Sequence, residues 1–260
     1  CGYIGSHTVI ELLQAGRFDV VSIDNFLNSS EGALDRIEAI AGKRIVNHAV
    51  DLCDLEATRT VFRQHPDIQG VIHFAALKSV PESVADPLLY YHNNLQSLVN
   101  MLKCCEEFGI KSFIFSSSCS IYGNIDRLPV SEDSPANAIS PYGKTKEIGE
   151  RVISDFARVS RHVHSIALRY FNPVGAHPSG LNGEDPSNPP TALVPVITQT
   201  ASGLRPKMTV FGGDLDTRDG TCIRDYLHVI DIAQAHIKAL DYHFSGKNTS
   251  NYDAINLGSS

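Results

Sequence analysis

CGYIGSHTVIELLQAGRFDVVSID (residues 1–24) decides how the chain folds. Gly2 and Gly5 stand three apart with Tyr3 and Ile4 between them, and helical apolar periodicity follows over 7–16. The next run, DVVSID (19–24), is strand-like and ends on Asp24. A glycine turn, a helix and a strand closing on an acid are the parts of a βαβ unit that holds a dinucleotide. Backbone N–H groups at the helix N-terminus take the pyrophosphate, where the dipole favours anions. Asp24, with Asn25 beside it, takes the adenosine ribose hydroxyls and repels an added 2′-phosphate, so NAD is expected rather than NADP. On the glycines alone, a plain turn before a helix is the other reading. Their spacing matches the tail of G-x-x-G-x-x-G, which places an apolar strand and a further glycine ahead of residue 1. That strand would lie between DVVSID and GVIHFAA (70–76), so residues 1–260 alone are expected neither to retain NAD nor to unfold cooperatively.

The pattern repeats along the chain. RIVNHAVDL (44–52), GVIHFAA, SFIFSSS (112–118) and HSIALRYF (164–171) read as strands, and helical periodicity covers 55–64, 87–108 and 142–159. Such alternation predicts an α/β fold with a Rossmann-like, doubly wound parallel sheet whose ligands lie beyond the carboxyl ends of the strands. Residues 1–171 are expected to form an NAD-binding Rossmann domain lacking its first strand, and 172–260 a smaller, truncated substrate-side region. In that second region a helix is expected over 193–203, a strand at MTVFG (208–212), a helix over 230–244 and a strand near 253–258 returning to the sheet.

Composition narrows the partners. A formal charge of -7 over 260 residues, without a run of like charges, gives nothing to attract nucleic acid or an anionic membrane. No apolar stretch approaches spanning length. Six cysteines, at positions 1, 53, 104, 105, 119 and 222, include no C-x-x-C pair and no metal-ligand spacing with histidine. Reduced thiols in the cytoplasm and no metal are therefore expected.

SPYGKTKE (140–147) sets Tyr142 one helical turn before Lys146 on the same face. A phenol with a pKa near 10 is a poor base at neutral pH, and an adjacent ammonium favours the phenolate. The pair suits proton abstraction from a hydroxyl; the plainer alternative is an exposed pair. Ser118, the last hydroxyl of SFIFSSS, lies at the carboxyl edge, or else simply forms a turn. Asp51 either meets the adenine amino group or caps the helix beginning at Asp54 or Leu55.

VIHFAALKSVPESV (71–84), YYHNN (90–94), FIFSSSCSIYG (113–123), LRYFNPVGAHPSG (168–180), GEDP (183–186), VFGGD (210–214) and DGTCIRDYLHVID (219–231) extend these motifs over nearly the whole chain. Together they resemble the extended short-chain dehydrogenase/reductase family, and within it the nucleotide-sugar 4-epimerases. The resemblance implies epimerisation at C4 of a UDP-hexose through a transient 4-keto sugar and tightly bound NAD. It implies Tyr142 as the base for the 4″-hydroxyl, Ser118 as a hydrogen-bond partner of the same oxygen, and Lys146 as the group that binds the nicotinamide ribose and lowers the Tyr142 pKa.

The cofactor side is implied to comprise Gly2, Tyr3, Ile4, Gly5, Asp24, Asn25, Asp51, Leu52, Phe74, Ala75, Ala76, Lys78, Asn93 and Tyr170, with Tyr142 and Lys146. The substrate side is implied to comprise Lys78, Ser118, Tyr142, Phe171, Asn172, Leu193, Phe211, Arg224 and Tyr226. Arg224 suits a diphosphate because its planar fork donates two hydrogen bonds at once; an ion pair with Asp219 or Asp225 is the plainer alternative. A homodimer through 87–108 and 142–159 is also implied. Thr191-Ala192-Leu193 departs from the family's Asn-Asn-Leu. Cys119 and Ser120 stand where related dehydratases carry an Asp-Glu pair, which disfavours elimination. A 4-epimerase acting on N-acetylated sugars and a non-catalytic NAD-binding homologue are the remaining alternatives, although a non-catalytic homologue typically lacks the tyrosine or the lysine.

Overall fold

The computed structural model describes residues 1–125, 127–185, 190 and 192–259. In chain order its strands are β1 (Val21–Ile23), β2 (Val46–His48), β3 (Gly70–His73), β4 (Ser112–Ser118), β5 (His164–Tyr170), β6 (Asn172–Val174), β7 (Tyr226–His228) and β8 (Tyr252–Leu257). All pairings among the described residues are parallel, in three ladders: β1-β2, β3-β4-β5-β8 and β6-β7. None joins β1 to β3.

Helices cover both faces of the four-stranded ladder. Along β4, side chains alternate between faces, as a strand's period of two requires. Phe113 and Phe115 pack with Phe62, Leu98, Met101 and Ile153 from α3 (Leu55–Gln64), α5 (Pro87–Glu107) and α6 (Pro141–Val159). Ile114 points the other way, joining Leu12 of α1 (Tyr3–Gln14) and Ile232 and Leu240 of α8 (Val229–Phe244). Each such side chain contributes about 1.5–3 kcal/mol on burial. A third cluster, Ile10, Leu34 and Ile37, fastens α2 (Gly32–Ala41) to α1. Two helices, α4 (Val80–Ala85) and α7 (Leu193–Ala201), complete the set among the described residues.

The helix starts follow local chemistry. Asp54, Ser79, Asp86 and Ser140 each accept a hydrogen bond from the backbone N–H three residues on, satisfying a donor that the helix itself leaves free. Asp54 is thus the cap of α3, and Asp51 instead accepts from the Cys53 N–H at 2.8 Å.

The first helix begins at Tyr3, four residues before the expected 7–16, so Gly2 is its N-cap and Gly5 lies in its first turn. The strand expected at 208–212 does not form: Phe211 is 92% exposed, and no described strand pairs with that segment. The sequence reading also lacks α2, although it is as long as α3, together with the six-residue α4 and the three-residue strands of the β6-β7 ladder. Thr191 lies outside the described residues. No described helix is long and apolar enough to cross a membrane.

Candidate active site

The strand register aligns the site. Ser118, the last residue of β4, pairs with Tyr170, the last of β5, and Tyr170 pairs with Leu257. The carboxyl ends of these strands therefore form one edge, and α1 presents its N-terminus near it through Gly5, whose added Cβ would stand 3.6 Å from the Phe74 ring. A Cβ on Gly2 would meet nothing within 4 Å. No side chain caps α1, and its first turn holds no acidic residue, so the N–H groups at its start remain available to an anion. Asp24 sits against this turn. Its Oδ1 accepts from the Phe26 N–H and the Ser29 hydroxyl at 2.8 and 2.9 Å. The Asn25 side chain accepts from the Leu27 N–H, closing the next turn. An open glycine turn, uncapped N–H donors and an anchored carboxylate fit the pyrophosphate and ribose of a dinucleotide.

Helix α6 brings Tyr142 and Lys146 to the same edge. The helix approaches the strand closely because Gly143 and Gly149 carry no side chain: an added Cβ would lie 2.9 Å from the Ser120 carbonyl and 2.9 Å from the Phe115 ring, respectively. Lys146 is buried, with Nζ donating to the Ser116 carbonyl at 2.7 Å and lying 4.9 Å from the Phe115 ring centroid and 6.0 Å from that of Tyr142. Burial pushes the Lys146 ammonium down to about 8, opposed by the Glu150 carboxylate. Burial likewise pushes the half-buried Tyr142 phenol up to about 12, with the Ser118 hydroxyl pulling it down. Desolvation of the phenolate is the largest influence on Tyr142. The Ser118 Oγ accepts from the Ser120 N–H at 3.2 Å and the Ser120 hydroxyl at 2.9 Å, which fixes its place at the end of β4.

Behind these residues lies a group that sequence reasoning missed. Asn94 fills all four of its hydrogen-bonding positions: Oδ1 accepts from the Leu77 N–H (2.8 Å) and Asn93 Nδ2 (2.9 Å), and Nδ2 donates to the Leu77 carbonyl and Thr145 Oγ1 (both 3.0 Å). Thr145 in turn donates to the Tyr142 carbonyl at 2.7 Å. The loop that follows β3, carrying Phe74, Ala75, Ala76 and Lys78, is so tied to the catalytic helix. A polar residue four positions after the buried Tyr90 on α5, in line with its apolar face, was the available signal.

Glu150 and Arg169 form a second buried group. The Arg169 NH2 donates to Glu150 Oε2 at 2.7 Å, the carboxylate also accepts from Ser117 and Tyr252, and another Arg169 nitrogen reaches the Tyr122 hydroxyl at 2.8 Å. The pair ties β4, α6, β5 and β8 together behind Lys146.

The remaining candidates divide. The β6-β7 ladder pairs Asn172 with Tyr226, and the Asn172 side chain donates to the Asp225 carbonyl at 2.7 Å, placing both beside Arg224. Arg224 is exposed and forms no ion pair with Asp219 or Asp225 among the described residues. Phe171 is half-buried and adjoins this ladder. Leu193 opens α7 and is exposed. Phe211 is exposed. Tyr170 is buried, and its hydroxyl meets His236 Nε2 at 2.7 Å, so its polar end faces the core. Leu52 is also a core residue.

The chain is similar to known proteins along nearly all of its length. The NAD dependent epimerase/dehydratase family matches residues 1–258. The UDP-glucose 4-epimerase of Bacillus subtilis is 46% identical over 257 residues, 99% of this chain and 74% of that protein. That of Dictyostelium discoideum is 47% identical over 257 residues, again 99% of this chain and 74% of the relative. Among solved structures, the Bifidobacterium longum UDP-glucose 4-epimerase in complex with NAD+ and UDP superposes with a TM-score of 0.93 at 43% identity, covering 99% of this chain and 75% of that one. The glycine turn, the Ser118–Tyr142–Lys146 cluster and this similarity along essentially all of its length lead to one conclusion: the chain belongs to the NAD dependent epimerase/dehydratase family.

Proposed function

We propose that the protein epimerises UDP-hexoses at C4, interconverting UDP-glucose and UDP-galactose. The observation that carries this is the convergence of Ser118, Tyr142 and Lys146 on the strand edge that also faces the glycine turn. NAD, when bound, would supply the acceptor and donor of the C4 hydride. The residues of the chain do the rest. Ser118 holds the 4″-oxygen, and Tyr142 takes its proton and later gives it back. With its phenol pushed up to about 12, Tyr142 needs a positive neighbour to act near neutral pH, and the Lys146 ammonium is the one that the chain supplies. Gly2, Tyr3, Ile4 and Gly5 offer the pyrophosphate cradle, and Asp24 the ribose contact. Asn172, Arg224 and Tyr226 hold the nucleoside diphosphate.

In this reading residues 1–171 serve the cofactor and 172–260 the UDP-sugar. Two copies would associate through α5 and α6, where a groove of about 440 Å³ is lined by Val99, Leu102, Val152 and Phe156 and rimmed by Arg59, Lys103, Glu106 and Glu107. Analytical ultracentrifugation checks that dimer. A cytoplasmic setting rests on cysteine usage, and cell fractionation tests it. The activity itself is tested by incubating the intact protein with UDP-galactose and no added NAD: UDP-glucose is the expected product, and its absence from folded protein would sink the reading.

A further inference from the structure

The segment after β6 crosses from the substrate side to the first turn of α1. Three residues beyond Asn172, the Gly175 carbonyl accepts a 2.6 Å hydrogen bond from the Tyr3 hydroxyl. Gly175 has φ +97, and a Cβ there would lie 2.3 Å from the His228 ring, so the backbone is pressed against β7 in a conformation that favours glycine. Residues 177–182 then close on themselves, the His177 N–H donating to the Asn182 carbonyl at 2.8 Å. The Asn182 side chain is 2% exposed and reaches α1, its Nδ2 donating to Ser6 Oγ at 3.0 Å with the His7 ring nitrogen 3.1 Å away. Its Oδ1 lies 3.4 Å from Arg36 Nε of α2. Two residues on, Glu184 stands 3.3 Å from Nζ of Lys78 in the loop after β3. Tyr3, Ser6 and His7 belong to the first turns of α1, whose backbone offers the anion cradle.

We propose that residues 175–184 are a strap that holds NAD in place, with Asn182 as the positioning residue that fastens it to the glycine turn. This rests on the reading of that turn as the NAD site. The strap meets α1 through two bonds, the Asn182 amide to Ser6 and the Tyr3 hydroxyl to the Gly175 carbonyl, so cutting them frees the cofactor while the sheet stays intact. Burial, with the charge of Glu184 second, raises the Tyr3 phenol, so its hydroxyl stays a proton donor to Gly175. The strap continues directly from the ladder holding Asn172, so cofactor retention is set from the substrate side of the molecule.

The experiment measures how fast NAD leaves the intact purified protein, trapping released NAD with an alcohol dehydrogenase and ethanol and reading NADH absorbance. Asn182→Ala should release NAD faster by about tenfold, the scale of one lost buried hydrogen bond, at a temperature well below its melting point. Tyr3→Phe, which removes one hydroxyl, should speed release as well and keeps the test open if Asn182→Ala folds poorly. A variant that melts earlier yet releases NAD at the wild-type rate would reduce the segment to a structural loop and overturn the strap. Equal release from all three proteins overturns it too while leaving the cofactor assignment standing. A wild-type protein that yields no NAD overturns the assignment and the strap with it.

Discussion

Asn94 on α5 and Thr145 on α6 are joined by a 3.0 Å hydrogen bond, and through it the cofactor-side loop is held to the backbone of Tyr142. Asn94→Leu leaves the Leu77 N–H and carbonyl without their partner, each loss costing about 1–3 kcal/mol when buried, and cuts the tie to Thr145, whose hydroxyl keeps its bond to the Tyr142 carbonyl. A clear fall in melting temperature together with a drop in kcat is expected. An unchanged kcat in folded protein would show that the loop and the helix hold their places independently.

Tyr142→Phe keeps the ring and its packing but deletes the proton acceptor. Turnover should fall by about 10²–10⁴-fold while bound NAD is retained. Steady-state rates and NAD content of the same preparation check both halves, and a near-normal kcat would remove Tyr142 from its role.

Lys146→Met separates catalysis from stability. Burial holds the Lys146 pKa at about 8, against an ordinary 10.5, so the charged form is disfavoured by the fold. The unfolded chain binds the proton more readily, so this penalty is present below pH 8 and fades as pH rises from 8 to 10.5. Removing the charge relieves at most about 3 kcal/mol at pH 7, less what the lost bond to Ser116 contributed. The variant should melt at or above the wild-type temperature at neutral pH, lose that advantage toward pH 10, and be inactive.

Acid should unfold the protein through its buried histidines. Burial pushes His73 down to about 3 and His236 and His243 down to about 4, from 6.5. Their folded-state pKa values lie below the unfolded value, so the unfolded state gains protons first and stability falls as pH drops from 6.5 toward 4. Each contributes about 1.4 kcal/mol per pH unit in that window. Melting temperatures at pH 7, 5.5 and 4.5 should fall steeply, and a flat series would contradict the burial.

Asp24→Asn tests cofactor choice. The neutral side chain keeps the turn but no longer repels a phosphate, and it accepts ribose hydroxyls less strongly. NAD affinity should drop by about tenfold or more and discrimination against NADP should narrow, as read by titration calorimetry. Equal affinity for the two cofactors in the unmodified protein would show that Asp24 does not discriminate.

The sheet was legible because its strands are long apolar runs that cannot be placed anywhere but a buried ladder: SFIFSSS and HSIALRYF became β4 and β5 almost residue for residue. Tyr142 and Lys146 were legible because one turn of helix separates them. What the sequence concealed depends on contacts distant along the chain. Asn182 meets Ser6, and Arg169 meets Glu150, only after the sheet has brought them together. MTVFG misled because alternation states what a segment prefers and not whether a neighbouring strand awaits it. Spacing reveals a charge near Tyr142 but not how much water the phenol loses on burial.

The pairing of β5 with β8 bears on how the protein is made. From Tyr170 to Tyr252 the ribosome must add some eighty residues before the edge of β5 finds its partner, about 4–16 s at ordinary elongation rates. Should β5 form before β8 is made, a nascent chain would carry a seven-residue strand with one side unpaired, a surface suited to capture by a chaperone or to sticking to its neighbours on a polysome. Codon choice between residues 171 and 251 thus becomes a determinant of yield, since slower decoding there lengthens the exposure without altering a single amino acid.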